Sequence, residues 1–396
     1  MQDSLTVWPV IKLISSYTYL VLALSQVCLR CIFRLSSYFN IAMNFTLLNT
    51  ARHLLCHGLV VVDDFGIEVE LSGIGQVGFQ IYKHILARVF KDFSVLPILK
   101  LSATPFASRQ LFRWAFITAI NFLSHFNSRI IYIGLANPAS YFPLARQSHQ
   151  VIYDIIPYEL ISERRTLLFY APIIPFRIVK LLASYINATI RLLVMTRTKS
   201  TVYSISSDSC SKIDSFIKPA RTTICLAHIL KDFVQAFISN HSLPSVTPGV
   251  EIIISQCSMF KSSILIHSTG EPRKGFHELL PIIYSLNSSL IVIYGRSWNG
   301  VGLQIITKLL DSNMIHISNK IIVLNSPSDD DVAALMLNFQ MFYFPSRFEG
   351  WGLAPSIYLA LTNKKPYVSA TRVNLEVLGD SAFMIDNWAD LVPLLA

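Results

Sequence analysis

Charge is scarce in this sequence. Only 14% of its 396 residues are charged, while 52% are hydrophobic; an average soluble domain carries about 25% charged residues. The chain is therefore apolar for its size, and long enough for two domains of ~100–200 residues each. Long basic runs are missing too. The net charge of +9 is spread along the chain, which favours an anionic partner such as a phosphorylated ligand or an acidic membrane surface. No nucleic-acid recognition motif accompanies the charge, which argues against nucleic acid. Cysteine is sparse: Cys28, Cys31, Cys56, Cys210, Cys225 and Cys257 are scattered, which is no disulfide framework and fits a reducing compartment. Cys28 and Cys31 have metal-ligand spacing but no second pair follows, so they read as structural residues of an apolar segment. No G-x-G-x-x-G follows a strand pattern, which argues against a dinucleotide-dependent oxidoreductase. Internal repeats and low-complexity tracts are also lacking.

Residues 1–56 stand apart. Positions 7–24 are mostly apolar, broken by Lys12, Ser15, Ser16 and Thr18, and Arg30 and Arg34 follow. Three readings stay open: a marginal membrane span, an interfacial helix whose cations meet anionic headgroups, or upstream sequence that does not fold with the rest. A small-residue cleavage site is lacking, which argues against a cleaved signal peptide. A first domain is expected over 57–245. Leu59-Val-Val-Val-Asp63 reads as a buried parallel strand ending in an acid. Ser72-Gly73-Ile74-Gly75 follows as a Gly-rich loop before a helix-like stretch at 79–90, an arrangement able to receive an anionic group. Further strands are expected at 129–134 and 150–154. Residues 161–199 alternate apolar segments with Arg164, Arg165, Arg177, Lys180, Arg191 and Arg197. They read either as core with solvated charge or as a membrane-docking surface.

Asn, Ser, Pro and Gly cluster at 240–249 and mark a boundary, leaving a second domain over 246–396. There strands (263–267, 290–294, 320–324, 341–344) alternate with helices (276–286, 300–310, 329–338), the signature of a parallel sheet covered on both faces. Two segments carry chemistry. Glu271-Pro-Arg-Lys-Gly275 places Arg273 and Lys274 between a strand and a helix start, where two cations and a helix N-terminus suit a diphosphate; a solvated basic turn is the plainer alternative. Tyr343-Phe-Pro-Ser-Arg-Phe-Glu-Gly-Trp-Gly-Leu353 places Glu349 beside two glycines on a strand-to-helix turn. Open α/β sheets hold their ligands at such turns, though an ordinary turn with solvent-facing glycines has the same spacing. Gly295 and Arg296 end another strand and could form a second wall of the same cleft.

These segments resemble the large group 1 family of retaining glycosyltransferases. The likeness rests on Thr269-Gly-Glu-Pro-Arg-Lys-Gly275, Leu290-Ile-Val-Ile-Tyr-Gly295, the segment ending at Leu353, and Asn374-Leu-Glu-Val-Leu-Gly-Asp380 with Ala382-Phe-Met-Ile-Asp386. Ser72–Gly75, Tyr153-Asp-Ile-Ile-Pro157 and Ser204-Ile-Ser206 agree more loosely. The likeness spans about residues 58–386 and is greatest with the mannosyltransferase-like branch that builds bacterial surface polysaccharides. It implies an α/β chain of GT-B type, two doubly wound Rossmann-like domains facing a central cleft. Arg273 and Lys274 would hold the donor diphosphate, and Glu349 the donor sugar. The amides of Gly350, Trp351, Gly352 and Leu353 would lie near sugar and phosphate, beside Gly295 and Arg296. Ser72 to Gly75 and Asp154 would face the donor phosphate or acceptor from the other domain. The implied partners are a nucleotide sugar and a lipid-linked or oligosaccharide acceptor at the inner face of the cytoplasmic membrane. No metal or other cofactor is expected.

The chain departs from this family at three places. The second carboxylate expected eight positions after Glu349 is Ile357, which cannot accept hydrogen bonds from ribose hydroxyls, a loss of ~1–3 kcal/mol. A histidine before the mid-domain aspartate is replaced by Tyr153. Relatives continue for several helical turns past the position of Ala396, so the second domain is expected to be shortened. A weakened or inactive remnant that still binds nucleotide or partners is the alternative reading.

Overall fold

The computed structural model describes residues 59–63, 94–95, 130–134, 147–152, 159, 164–173, 179, 182–183, 186, 200–217, 223–242, 244–295, 302–310 and 319–395. Two six-stranded sheets organise them, and every strand pairing in both is parallel. The first contains β1 (Leu59–Asp63), β2 (Ser94–Val95), β3 (Ile130–Gly134), β4 (Gln147–Val151), β5 (Ser200–Ser204) and β6 (Thr223–Cys225), in spatial order β2-β1-β3-β4-β5-β6. The second contains β7 (Ser262–His267), β8 (Ser289–Gly295), β9 (Lys320–Asn325), β10 (Met341–Phe344), β11 (Tyr367–Ser369) and β12 (Phe383–Ile385), in order β12-β11-β10-β7-β8-β9.

The described helices are α1 (Arg164–Tyr170), α2 (Ser207–Ile217), α3 (Ala227–His241), α4 (Pro248–Ser255), α5 (Leu280–Ser285), α6 (Gly302–Leu310), α7 (Asp329–Asn338), α8 (Leu353–Thr362), α9 (Arg372–Leu378) and α10 (Val392–Leu395). The expected strand–helix alternation holds in the second half, with one adjustment. The stretch expected as one helix over 276–286 is a 3-10 turn (Phe276–Leu279) followed by α5. Pro281, in the first turn of α5, has no N–H to continue a ladder from the preceding turn. The strand expected at 150–154 lies three residues earlier, as β4.

The second sheet is buried on both faces, so its strands are continuous apolar runs. Side chains alternate between two clusters. Ile264, Ile266, Ile291 and Ile293 join Phe276, Ile283, Ile305 and Trp388 on one face. Leu265, Leu290, Val292 and Phe342 join Ala333, Met336, Phe339 and Val368 on the other. Each such side chain removed fully from water contributes roughly 1.5–3 kcal/mol. Helix α7 is set by its start: Ser328 Oγ accepts from the Asp331 amide at 3.1 Å, and three aspartates occupy the first turn, where the helix dipole favours negative charge. Asp331 Oδ1 also accepts from the Thr247 amide and hydroxyl at 2.9 and 3.0 Å, tying α4 to α7.

Two segments that precede the 240–249 break pack on the second sheet. Helix α3 lies against α8 and adds Val234 and Phe237 to a cluster of the second sheet. Tyr170, at the end of α1, is fully buried in the other cluster. Phe169 stacks on His277 with ring centroids 4.7 Å apart, and Lys308 Nζ donates to the Ile173 carbonyl at 3.4 Å. Among the described residues of this segment, Leu168, Val179 and Ile186 are 71%, 65% and 50% exposed. Among the described residues no helix is long and apolar enough to cross a membrane. Residues 1–56, and with them the open readings of 7–34, lie outside the described residues.

Candidate donor site at the switch point of the second sheet

In the second sheet the chain runs outward from β7 through β8 to β9, then returns to start β10 on the other side of β7. The crevice beyond the carboxyl ends of β7 and β10 is therefore the topological switch point, where open α/β sheets bind ligands. Both charged segments singled out in the sequence emerge there. Residues 268–275 follow β7 and residues 345–352 follow β10.

Close backbone packing locks the two loops together. The loop after β7 makes a 3-10 turn (Pro272–Lys274) ending at Gly275, with φ +62°. A Cβ on Gly275 would sit 2.2 Å from the Pro345 carbonyl oxygen, so only glycine fits where the two loops cross. The Arg347 amide and Ser346 hydroxyl both donate to the Arg273 carbonyl, at 3.3 Å each.

The side chains then converge on one carboxylate oxygen. Glu349 Oε1 accepts from Lys274 Nζ in a short ion pair and from Ser346 Oγ at 2.6 Å, with Arg273 Nη1 3.6 Å away. Among the described residues no donor reaches Oε2 of Glu349. Arg273 is fixed by Glu271 Oε2 at 2.9 Å and by the Phe348 carbonyl at 3.4 Å. Each cation thus has a carboxylate beside it, and the four charges cancel. Burial pushes the Glu349 carboxyl up. The charges of Lys274 and Arg273, with hydrogen bonds from Lys274 and Ser346, overcome that and hold it at about 2. Burial pulls Lys274 down, and Glu349 counters part of that. Beneath the pair, the His267 ring stacks near Phe344 at 5.7 Å and Tyr294 at 4.8 Å. Burial, then the neighbouring Lys274 charge, lower its pKa to about 3, so the imidazole is neutral near pH 7.

Gly352 has φ +73° and starts α8 with no side-chain cap and no acidic residue in the first turn. The first amides of that helix are open to an anion. Asn374 and Trp351 add the buried atoms Oδ1 and Nε1, neither with a hydrogen-bond partner. Gly295 ends β8 against the Ser268 carbonyl, where a Cβ would come within 2.4 Å. The loop could therefore offer a ligand a carboxylate oxygen, helix-start amides and two cations.

The structure thus brings Arg273, Lys274 and Glu349 into contact, with Gly350, Trp351, Gly352 and Leu353 following in the same loop and Gly295 at the adjacent strand end. Ile357 lies one turn into α8, 6% exposed within an apolar cluster of the second sheet, and offers the site no polar atom. Arg296, Ser72, Gly73, Ile74, Gly75 and Asp154 lie outside the described residues. Sequence reasoning passed over Glu271 and Ser346, although both stand inside the quoted segments. Their signal was adjacency: a carboxylate two residues before Arg273, and a hydroxyl three before Glu349. His267 ends β7 and gives no periodic signal.

No family model and no curated protein sequence matches the chain. Solved structures do. Anabaena Alr3699/HepE in complex with UDP-glucose superimposes with a TM-score of 0.50 at 13% identity, covering 85% of this chain and 88% of that one. The same protein with UDP and glucose gives 0.48 at 14% identity, over 86% and 89%. An α,α-trehalose-phosphate synthase (UDP-forming) from Burkholderia xenovorans, in complex with glucose-6-phosphate, gives 0.45 at 8% identity, over 71% and 68%. At such identities the likeness concerns the fold. Two doubly wound parallel sheets of this kind make the GT-B fold, and this chain has it.

Proposed function

We propose that this chain is a glycosyltransferase that moves a hexose, mannose or a close relative, from a nucleotide-diphosphate sugar to a lipid-linked or polysaccharide acceptor with retention of configuration. The observation that carries this reading is the meeting of Arg273, Lys274 and Glu349 under the uncapped start of α8, at the switch point of a GT-B domain. A diphosphate laid on the α8 amides would draw the two cations from their carboxylate partners. Their charge then stabilises the departing nucleoside diphosphate as the glycosidic bond breaks, an electrostatic role in catalysis. Glu349 is ionised at neutral pH, and its Oε2 can accept from a sugar hydroxyl. Domain closure excludes water and limits donor hydrolysis. No metal is required by this scheme. The exposed Leu168, Val179 and Ile186, interleaved in sequence with basic residues, would rest on the inner face of the cytoplasmic membrane.

Ile357 favours a second reading, a weakened or inactive copy that still binds nucleotide. A buried isoleucine cannot hold ribose hydroxyls, and placing a carboxylate there would carry its own burial penalty. The test is transfer itself: UDP- and GDP-linked glucose and mannose are supplied with a membrane lipid extract, and nucleotide release and labelled product are followed. Sugar appearing in the lipid fraction with its anomeric configuration kept supports the enzyme. Nucleotide binding without product from any donor supports the weakened copy.

A further inference from the structure

Helix α9 touches both halves of the molecule. On one side Asn374 is fully buried. Its amide donates to Thr371 Oγ1 at 3.1 Å and its Nδ2 to the Ser369 carbonyl at 2.8 Å. Its Oδ1 lies against Gly352, where a Cβ would come within 2.7 Å, and has no hydrogen-bond partner. Two residues on, Glu376 reaches the other domain. Its Oε1 accepts from the Ser207 amide at 2.7 Å and its Oε2 from the Asp208 amide at 2.9 Å. Those are the first two amides of α2, 168 and 169 residues away in sequence, and α9 packs along that helix. A carboxylate bridging two free amides at a helix N-terminus makes paired charge-assisted hydrogen bonds, aided by the helix dipole. The acid already at that terminus, Asp208, is paired with Lys212 at 2.6 Å, an ammonium it shares with Glu159.

We infer that Glu376 is a positioning residue: it clasps α2 of the first domain while its own helix, through Asn374, contacts the Gly352 turn of the donor loop, so that donor-loop geometry and domain spacing are mechanically joined. The kinetic part of this inference rests on the transfer reading above; the clasp itself does not. The Gly352 turn cannot shift toward α9 without meeting Asn374, and α9 cannot move without straining the bridge to α2. A donor seated on that turn would therefore bias how the two domains face each other.

The test uses the full chain with Glu376→Ala, Glu376→Gln and Ser207→Pro. Proline is tolerated at the first position of a helix and removes one of the two donors. Hydrogen exchange at Asp208 is expected to quicken at least tenfold in Glu376→Ala, and small-angle scattering to give a larger radius of gyration. Glu376→Gln, which keeps one acceptor, should fall between. Ser207→Pro should move both readouts the same way, and the double variant should be no worse than Glu376→Ala alone. UDP or GDP binding should weaken more than twofold, since the coupling is reciprocal, and transfer should fall at least tenfold. Unchanged exchange and scattering in Glu376→Ala, or effects of the two substitutions that simply add, would overturn the clasp. If the unaltered chain binds neither nucleotide, the donor reading fails, and exchange and scattering still decide the clasp.

Discussion

The two sheets share a fold plan but not a chemistry. Strands of the second, such as Ser289–Gly295 and Met341–Phe344, are nearly continuous apolar runs. The first mixes apolar strands, Leu59–Asp63 and Ile130–Gly134, with largely polar ones, Gln147–Val151 and Ser200–Ser204. The second sheet has helices and turns on both faces, so its strands are mostly apolar, and Glu271, Arg273, Lys274 and Glu349 lie in two short loops at one end. Those loops form the candidate site. A sheet with a uniformly apolar body makes a rigid platform, and any charge placed on it stands out. The ion pairs differ in the same way. Lys274 and Glu349 are 9% and 13% exposed, whereas Lys212 is 31% exposed beside Glu159 at 22%.

The sharpest way to break this contrast is to remove one partner from each pair. Lys274→Met strands Glu349 in a buried position and is expected to cost about 3–5 kcal/mol, with most of that regained in Lys274→Met/Glu349→Gln. Urea unfolding of the single and double variants checks this; equal loss in both would show that the pair is not energetically linked. Core truncation comes next. Ile293→Ala, fully buried in the second sheet, is expected to lose about 2–5 kcal/mol. Val202→Ala, 1% exposed in the first, removes two methyl groups and is expected to lose roughly 1.5–3 kcal/mol.

Acid sharpens the comparison further. His267 and His277 stay neutral in the folded chain, at about 3 and about 4, lowered by burial and then by Lys274 and Arg347 respectively. The unfolded chain takes up protons from about pH 6.5. Stability should therefore fall as pH drops below 6.5, until about pH 4 for His277 and about pH 3 for His267. The slope is at most about 1.4 kcal/mol per pH unit for each group. Glu349 adds a loss between 4.5 and about 2, because its folded value lies below its unfolded one. Thermal melts of His267→Phe against pH should show a shallower decline below pH 6.5; an unchanged profile would contradict the assignment. The smallest effect is expected from Glu159→Gln in the first domain, about 1 kcal/mol or less, because its pair with Lys212 is partly exposed and solvent-screened.

The sequence disclosed the second half well and for a physical reason. Buried parallel strands are unmistakable as runs such as Leu290-Ile-Val-Ile293, and α7 announces itself by Ser328 and three aspartates. The fold class, and the two loops that carry Arg273 and Glu349, were legible because each loop directly follows such a strand. β4 lies three residues earlier than its apolar end suggests, because Val151 and Ile152 are the apolar signal while most of the strand is polar, Gln147-Ser-His-Gln-Val151. The packing of α3 and α1 on the second sheet was not legible. The 240–249 break follows α3, and an amphipathic helix does not reveal which sheet its apolar face will meet. Neutralisation of Lys274 was also hidden, because Glu349 acquires its partner only through the crossing of two loops at Gly275.

The central claim is that Arg273, Lys274 and Glu349 receive a nucleoside diphosphate. The most direct test is thermal stability with UDP, GDP and their hexose conjugates, comparing the unaltered chain with Arg273→Ala and Lys274→Met/Glu349→Gln. A ligand at ~100 times its Kd should add ~2.7 kcal/mol. A rise with one nucleotide class that disappears in both variants is the predicted result. No rise with any nucleotide in the folded, unaltered chain, or a rise that survives both variants, would contradict the account.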